Sequence, residues 1–245
     1  MLTRGDVAIH LLLYGDFPQL HQRVLNSIHE HAKNIRVRAW CNQVCERTAM
    51  LLATLKQDPR WLVYFTAENR PKYKVMRQLF DNYKRPEGER DPVKWAIWMD
   101  DDSYITDPEW FPYMAKYIED HPDAAYIGKS WYVHHLTGQQ EFIAASKWFK
   151  GVPWELCPTK KPGVTQPGIS FAQGSYWWLK TDVLRQLDWP DERLNHNGGD
   201  TLLGEAVRQQ GLPFHKCDFG VKLNAAARRG YHEAPAGSAD PKARR

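Results

Sequence analysis

Trp95-Ala96-Ile97-Trp98-Met99-Asp100-Asp101-Asp102-Ser103-Tyr104-Ile105 decides how this 245-residue chain is read. Five apolar residues run directly into three carboxylates. The apolar run has strand length and no helical period, which predicts a buried strand. The carboxylates then fall where that strand leaves its sheet. Three adjacent Asp side chains repel one another, and a cation relieves that repulsion. Oxygen-only ligands suit Mg2+ or Mn2+. The plainer reading is an acidic turn leading into the helix that begins at Asp107-Pro108-Glu109. There Asp107 would cap, Pro108 would take the first helical position and the acids would face the helix dipole.

Upstream, Val7 to Leu13 is a second continuous apolar run and predicts a central parallel strand. It ends at Tyr14-Gly15-Asp16. Leu20, Val24, Leu25 and Ile28 then recur at helical spacing, with Asp16 as N-cap and Pro18 in the first turn. Strand, glycine turn and helix make the first half of a βαβ unit. Ligands of such sheets sit beyond the carboxyl ends of the strands, so Tyr14 and Asp16 are candidates to touch a nucleotide. A cap and a packed ring are the plainer roles. Ile35 to Trp40 alternates apolar and basic residues and predicts a strand with one wet face. Glu46 to Leu55 predicts a helix, and Trp61 to Phe65 a strand. Val75, Met76, Leu79, Phe80 and Tyr83 mark the next helix, and Arg70, Lys72, Lys74 and Arg77 gather near its start. Cations at a helix N-terminus oppose its dipole. An anion such as phosphate is one explanation, with Arg70 and Lys74 as contacts; a solvated basic turn is the other.

Downstream, Ala124 to Ile127 predicts one more short strand. The alternation of strand and helix to this point argues for an α/β fold, with a mostly parallel sheet covered by helices on both faces. Residues 129–168 show no clear period and carry many aromatics. They are expected to form a functional loop or lid on the acceptor side of the cleft. Gly168 to Leu179 returns to a strand pattern around Gln173-Gly174-Ser175-Tyr176, and Thr181 is expected to cap a short helix through Leu187. Asn195-His196-Asn197-Gly198-Gly199-Asp200-Thr201 places Asp200 at or beside the start of a helix that stops at Gly211. Asp is also a preferred cap needing no other purpose. Phe214 to Phe219 is expected to be the last strand. The tail from Ala225 is rich in Ala, Gly, Pro and Arg and predicts mobility, at least beyond Pro235. Within it, Arg228-Arg229-Gly230-Tyr231-His232 is the arrangement that carries chemistry.

The totals narrow the class. A chain of 245 residues suits one large α/β domain or two small ones. Eleven Trp and eleven Tyr exceed what a core alone needs, and extra aromatics form platforms for sugars or bases. A net charge of +4 fits an anionic ligand without marking a nucleic-acid binder. Cys41, Cys45, Cys157 and Cys217 lack zinc-site spacing, so reduced thiols are expected. No apolar stretch reaches membrane-spanning length and none reads as a signal peptide, so a soluble cytoplasmic enzyme with no membrane contact is expected.

The order of these features resembles the GT-A class of nucleotide-sugar glycosyltransferases. Val7 to Ile28 is similar to the nucleotide-binding opening of family 2-type members. Asp100-Asp101-Asp102 resembles the Asp-x-Asp motif, and with Ser103-Tyr104-Ile105 it is similar to the Asp-Asp-Asp-x-Tyr segment of the fringe-like branch. Gln173-Gly174-Ser175-Tyr176 resembles the acceptor-side strand. Gly198-Gly199-Asp200 resembles the segment that supplies the catalytic base, although that segment usually reads Glu-Asp or Asp-Asp and here Gly199 precedes Asp200. The resemblance implies a single Rossmann-like GT-A domain over residues 1–233. Residues 1–128 would form the nucleotide-sugar-binding half and 129–224 the acceptor-side half, with 234–245 a mobile basic tail.

The resemblance also implies roles. Asp102 and His232, with Asp100, would hold Mn2+ or Mg2+. Asp100, with Asp101 beside it, would contact the ribose or sugar. Arg228 or Arg229 would add charge to the phosphates. A nucleoside-diphosphate sugar, a UDP-sugar first, would be the donor. A divalent ion would stabilise the charge developing on the leaving diphosphate. Asp200 would take the proton of a saccharide or other acceptor hydroxyl, with inversion; modified DNA is a further acceptor class, marked by salt-dependent DNA binding. Two other readings compete. A sugar-nucleotide-binding module without turnover would keep the metal. A sugar-1-phosphate nucleotidyltransferase would open with a Gly-rich basic loop, which Tyr14-Gly15-Asp16 lacks.

Overall fold

The run beginning at Val7 folds as β1 (Val7–Tyr14), in which every residue but Tyr14 is buried. A computed structural model of the protein describes residues 1–134, 139–195 and 198–223. After β1 come α1 (Pro18–His31), β2 (Arg36–Asn42), α2 (Glu46–Leu55), β3 (Trp61–Thr66), α3 (Lys72–Leu79) and the single turn α4 (Asp81–Lys84). The chain continues through β4 (Trp95–Asp100), β5 (Ser103–Ile105), α5 (Trp110–Asp120), β6 (Tyr126–Val133) and α6 (Gln140–Ala144). It closes with β7 (Glu155–Pro158), β8 (Thr165–Lys180), α7 (Thr181–Gln186), α8 (Gly199–Gln209), β9 (Phe214–Lys216) and β10 (Val221–Leu223).

The central sheet has the order β3-β2-β1-β4-β8-β6-β9, with β7 on β8. β1 runs parallel to β2 and β4, β2 to β3, and β6 to β9. β8 is antiparallel to β4, β6 and β7. The sheet is therefore mostly parallel, and β8 is the strand that runs against the rest. Continuous apolar strands bury both faces. On one side Ala8 and Leu12 meet Val75, Met76 and Leu79 of α3 and Leu202 and Leu203 of α8. On the other, Ile9, Leu11 and Leu13 meet Val24, Leu25 and Ile28 of α1 and Trp110 and Met114 of α5. Each such large side chain, fully buried, contributes about 1.5–3 kcal/mol. The result is the expected α/β sandwich with helices on both faces.

Several local expectations are corrected. Asp16 does not cap α1; Phe17 holds that position and Pro18 is the first helical residue. The basic face of β2 is not wet, because Arg38 is buried and pairs with Asp91, which Arg36 also reaches at 3.0 Å. The helix read through Tyr83 breaks at Phe80 into α3 and α4. α5 starts at Trp110 rather than at Asp107, whose Oδ1 instead accepts the Glu109 amide at 2.8 Å in the turn before it. Thr181 is the first residue of α7, not its cap, and its hydroxyl donates to the Val93 carbonyl at 2.7 Å. Residues 129–168 are not an irregular loop throughout. They hold the outer part of β6, α6 and the β7 side of a hairpin with β8, an order that comes from cross-strand pairing and leaves no period in the sequence. The strand expected over Phe214–Phe219 stops at Lys216, and β10 follows it to pair with β5. All four cysteines are free thiols. Among the described residues no helix is long and apolar enough to cross a membrane.

Candidate active site

β1, β2 and β4 run side by side, so Tyr14, Asn42 and Asp100 leave the sheet at one edge. Tyr14 is paired in register with Asn42, and Leu12 with Asp100. The Gly15 amide donates to the Asn42 carbonyl at 3.0 Å, which turns the chain immediately after β1. Asp16 is exposed in that turn, and Tyr14 packs edge-on against Phe17, with ring centroids 6.0 Å apart. Asn42 is a hub that sequence reading did not single out. Its amide donates to the Arg70 carbonyl at 2.8 Å, and its Oδ1 accepts from Thr66 Oγ1 at 2.9 Å and Trp40 Nε1 at 3.1 Å. It thereby ties the end of β2 to the basic turn after β3.

The four cations of that turn diverge. The Arg70 guanidinium lies over the Trp40 ring, 5.8 Å from its centroid. Lys74 is exposed and its ammonium donates to the Glu192 carbonyl. Arg77 binds the Asp188 carboxylate and the Pro190 carbonyl. Lys72, which sequence reading placed in the cluster without selecting it, turns into the cleft. Its Nζ donates to Asp100 Oδ2 at 2.7 Å and to the Gly174 carbonyl at 3.2 Å. Burial alone would lower the pKa of this ammonium. The charges of Asp100, Asp200 and Asp102 outweigh that effect and hold it above the ordinary lysine value.

The three aspartates serve three different surroundings. Asp100 ends β4, and its Oδ1 accepts the Trp98 indole N–H at 2.9 Å while Lys72 holds the other oxygen. Asp101 turns inward and is buried. His21 of α1 places Nε2 3.2 Å from Asp101 Oδ2 and Nδ1 2.8 Å from Thr48 Oγ1 of α2. This buried set anchors the acidic turn to two helices. A buried carboxylate needs such partners, because desolvation otherwise disfavours its charge. Asp102 is half-buried at the head of the turn, and the Ser103 hydroxyl closes it by donating to the Asp100 carbonyl at 2.8 Å.

Asp200 comes from the other half of the chain. It is the second residue of α8, behind an N-cap at Gly198. Its Oδ1 accepts the Tyr73 hydroxyl at 3.1 Å. Burial, and then the charge of Asp200, push the Tyr73 phenol well above its ordinary value, so Tyr73 stays protonated and donates. Two glycines make the approach possible. A Cβ at Gly174 would overlap the Asp200 carboxylate, and a Cβ at Gly199 would overlap the Tyr73 ring. The second overlap accounts for the departure from the Glu-Asp pattern: with Tyr73 in place there is no room for a side chain before Asp200. Gly174 lies in a bulge of β8. Gly128 and Ser130 of β6 face Trp177 and Ala172, so β8 places four residues, 173–176, where β6 places only Lys129. Bulges re-aim backbone and side chains beside active sites. Here the bulge presents the Gly174 carbonyl to Lys72 and its bare Cα to Asp200.

Asp100, Lys72, Gly174, Asp200 and Tyr73 thus form one connected group. Among the described residues no three His, Cys, Asp or Glu side chains gather as a ready-made metal site. The carboxylates of Asp100 and Asp102 nonetheless fit a hard divalent ion of the kind held by one or two carboxylates together with ligand phosphates. His232, Arg228 and Arg229 lie outside the described residues. The described chain ends in β10, where Leu223 pairs with Ser103, the residue after Asp102.

Comparison with known proteins agrees with this architecture. The profile of the family described as "Glycosyl transferase family 2" matches residues 41–188. That span holds Lys72, the triple Asp and Gly174, and stops short of Asp200. In fold the chain is similar to the mannosyltransferase PcManGT from Pyrobaculum calidifontis, solved in complex with GDP-Man and Mn2+. The TM-score is 0.60 at 15% identity, covering 93% of this chain and 59% of that one. It is also similar to TarS residues 1–349 from S. aureus, with a TM-score of 0.52 at 13% identity, covering 86% of this chain and 58% of that one. At these identities the likeness is one of fold, and the chain spans less than three fifths of the length of either structure. No curated protein matches the chain by sequence. The family match extends over more than half of the chain, and the fold agrees with it; the chain has a GT-A fold and belongs to glycosyl transferase family 2.

Proposed function

We propose that this protein is a divalent-metal-dependent glycosyltransferase that moves a sugar from a nucleoside-diphosphate sugar to an acceptor hydroxyl with inversion. The observation that carries the reading is Lys72, bonded to Asp100 from β4 and to the carbonyl of Gly174, on which the Asp200 carboxylate rests. A cation between the two acids would lie beside a leaving diphosphate and would hold charge there in a half-buried site, where it acts more strongly than in water.

Each residue has a task in this reading. Tyr14 and Asn42 flank the base and ribose at the strand ends. Asp100 contacts the ribose or sugar, and Arg70 borders the phosphates. Asp102, with Asp100, would hold Mn2+ or Mg2+; when bound, the ion neutralises charge on the leaving diphosphate. Arg228, Arg229 and His232 remain candidates to complete the phosphate and metal contacts from the tail. Asp200 accepts the proton of the acceptor hydroxyl as its oxygen bonds to the anomeric carbon. The bond to the diphosphate breaks at the same time, and the diphosphate leaves with the electron pair. Tyr73 fixes the Asp200 carboxylate by its hydrogen bond to Oδ1. A base and a leaving group on opposite sides of the sugar give inversion.

UDP- and GDP-sugars are the donors to try first. UDP-sugars follow from the sequence resemblance, and GDP-Man was the ligand of PcManGT. A panel of both, incubated with Mn2+ or with chelator, tests the reading by release of nucleoside diphosphate. The expected result is metal-dependent release, faster with an acceptor saccharide. Nucleotide binding with no release from any donor would favour a binding module. Nucleoside triphosphate consumption with a sugar phosphate would favour a nucleotidyltransferase.

A further inference from the structure

This fold hides most of its tryptophans. Of eleven in the chain, nine are buried, and Trp154 is half-buried against the core. Trp131 of β6 stands apart at 48% exposed. Its exposure is not looseness. Its indole N–H donates to Gln173 Oε1 at 3.0 Å, so the polar edge is satisfied and the ring is held. Among the described residues no aromatic ring or cation stacks on its faces. An apolar face of this size, pinned and left in water, is a preorganised contact surface. Its anchor gives it a direction. Gln173 precedes Gly174 in the β8 bulge, and the Asp200 carboxylate rests on Gly174.

We propose that Trp131 is the platform on which a pyranose ring of the acceptor saccharide stacks, and that this contact presents the acceptor hydroxyl to Asp200. The proposal rests on the glycosyltransferase reading above and adds the substrate class on its acceptor side. A pyranose carries a face of C–H groups that matches an indole face, while its hydroxyls remain at the rim for water and polar side chains. The platform's anchor, Gln173, is the residue before Gly174, so in this scheme a sugar lying on Trp131 approaches Asp200 from the β8 side and not from the donor side at Tyr14 and Asn42. Trp131 is a specificity-determining residue in this scheme, since it touches the acceptor and not the reacting atoms.

The test uses the full chain and methyl α- and β-glycosides of glucose, galactose, mannose and N-acetylglucosamine as probes. Binding is read by saturation-transfer NMR in the presence of Mn2+ and UDP or GDP. Trp131→Ala should raise the Kd of the best-bound glycoside about tenfold, and Trp131→Phe, which keeps a ring, only about threefold. The nucleotide Kd should be the same in both variants and the wild type. An unchanged glycoside Kd in Trp131→Ala overturns the proposal, as does a wild-type protein that binds nucleotide but none of the glycosides. Binding of a single-stranded oligonucleotide that depends on Trp131, in place of glycoside binding, overturns the saccharide assignment. Trp131-dependent glycoside binding in a protein that neither binds nor turns over nucleotide sugars keeps the platform and overturns the donor reading instead.

Discussion

The two halves of the cleft are built by different means. On the side of β1, β2 and β4, each candidate group sits where a regular parallel strand ends: Tyr14, Asn42 and Asp100 line up because their strands are in register. On the side of β8 and α8, regularity fails around the candidate base. The β8 bulge, a missing side chain at Gly174 and another at Gly199 bring Asp200 into place. One side follows from the order of elements. The other depends on empty space, and so on every neighbour that defines that space. The donor side should therefore tolerate small changes in side-chain size, whereas the acceptor side should not.

Adding one methyl group on the β8 side should have the largest effect. Gly174→Ala places a Cβ where the Asp200 carboxylate now lies. Turnover should fall by about 10²–10⁴, the usual worth of a positioned base, with the Kd for nucleoside diphosphate unchanged. Wild-type kcat in this variant would mean that Asp200 is not held in place by the bulge. Next in size is Lys72→Met, which removes the cation shared by the two sides. Calorimetry should show nucleoside-diphosphate affinity weakened about 10- to 100-fold, the range for losing a charge-assisted hydrogen bond. An unchanged affinity would make Lys72 a purely structural counter-ion of Asp100.

A smaller effect is expected at the anchor beneath the acidic turn. His21→Leu leaves Asp101 and Thr48 buried without their ring-nitrogen partners. The cost should be about 1–3 kcal/mol, read as a lower melting point of about 2–10 °C. A melting point equal to wild type would show that the turn does not depend on His21. The smallest effect belongs to Lys74→Ala. Its ammonium is exposed and engages the Glu192 carbonyl, so stability should change by no more than about 0.5 kcal/mol and donor affinity not at all. A tenfold loss of donor affinity would return Lys74 to the phosphate role that the sequence alone gave it.

The same contrast explains what could be read in advance. The acidic turn at the end of β4 and the α2 helix over Glu46–Leu55 follow from local patterns, and the structure has both. Lys72 was indistinguishable from Lys74 in a run of four cations. Two positions apart on a helix point about 200° apart, and only the contacts of α3 reveal which of them faces the cleft. Arg38 read as solvated because alternation predicts a wet face, and its partner Asp91 lies far along the chain. Asn42 carried no signal beyond its place at a strand end. The β8 bulge is invisible in one sequence, because three extra residues in a strand leave no mark until the partner strand is known. Gly198 and Gly199 were legible as positions that let a helix start come close to a ligand, but the side chains they clear were not: a Cβ at Gly199 would meet the Tyr73 ring, and Gly174 of β8 makes the corresponding room for Asp200.

On the proposed reading Asp200 from α8 and the aspartates of β4 form one catalytic site, and single-turnover kinetics on Asp200→Asn is the decisive experiment. The amide keeps the shape of the side chain and its place beside Tyr73 and Gly174 but no longer accepts a proton from the acceptor. The single-turnover rate should be lower by about 10²–10⁴, with the Kd for nucleoside diphosphate and the melting point close to wild type. A variant that turns over at the wild-type rate while melting lower, by the ~0.3–1 kcal/mol of a carboxylate lost from the first helical turn, would contradict that reading.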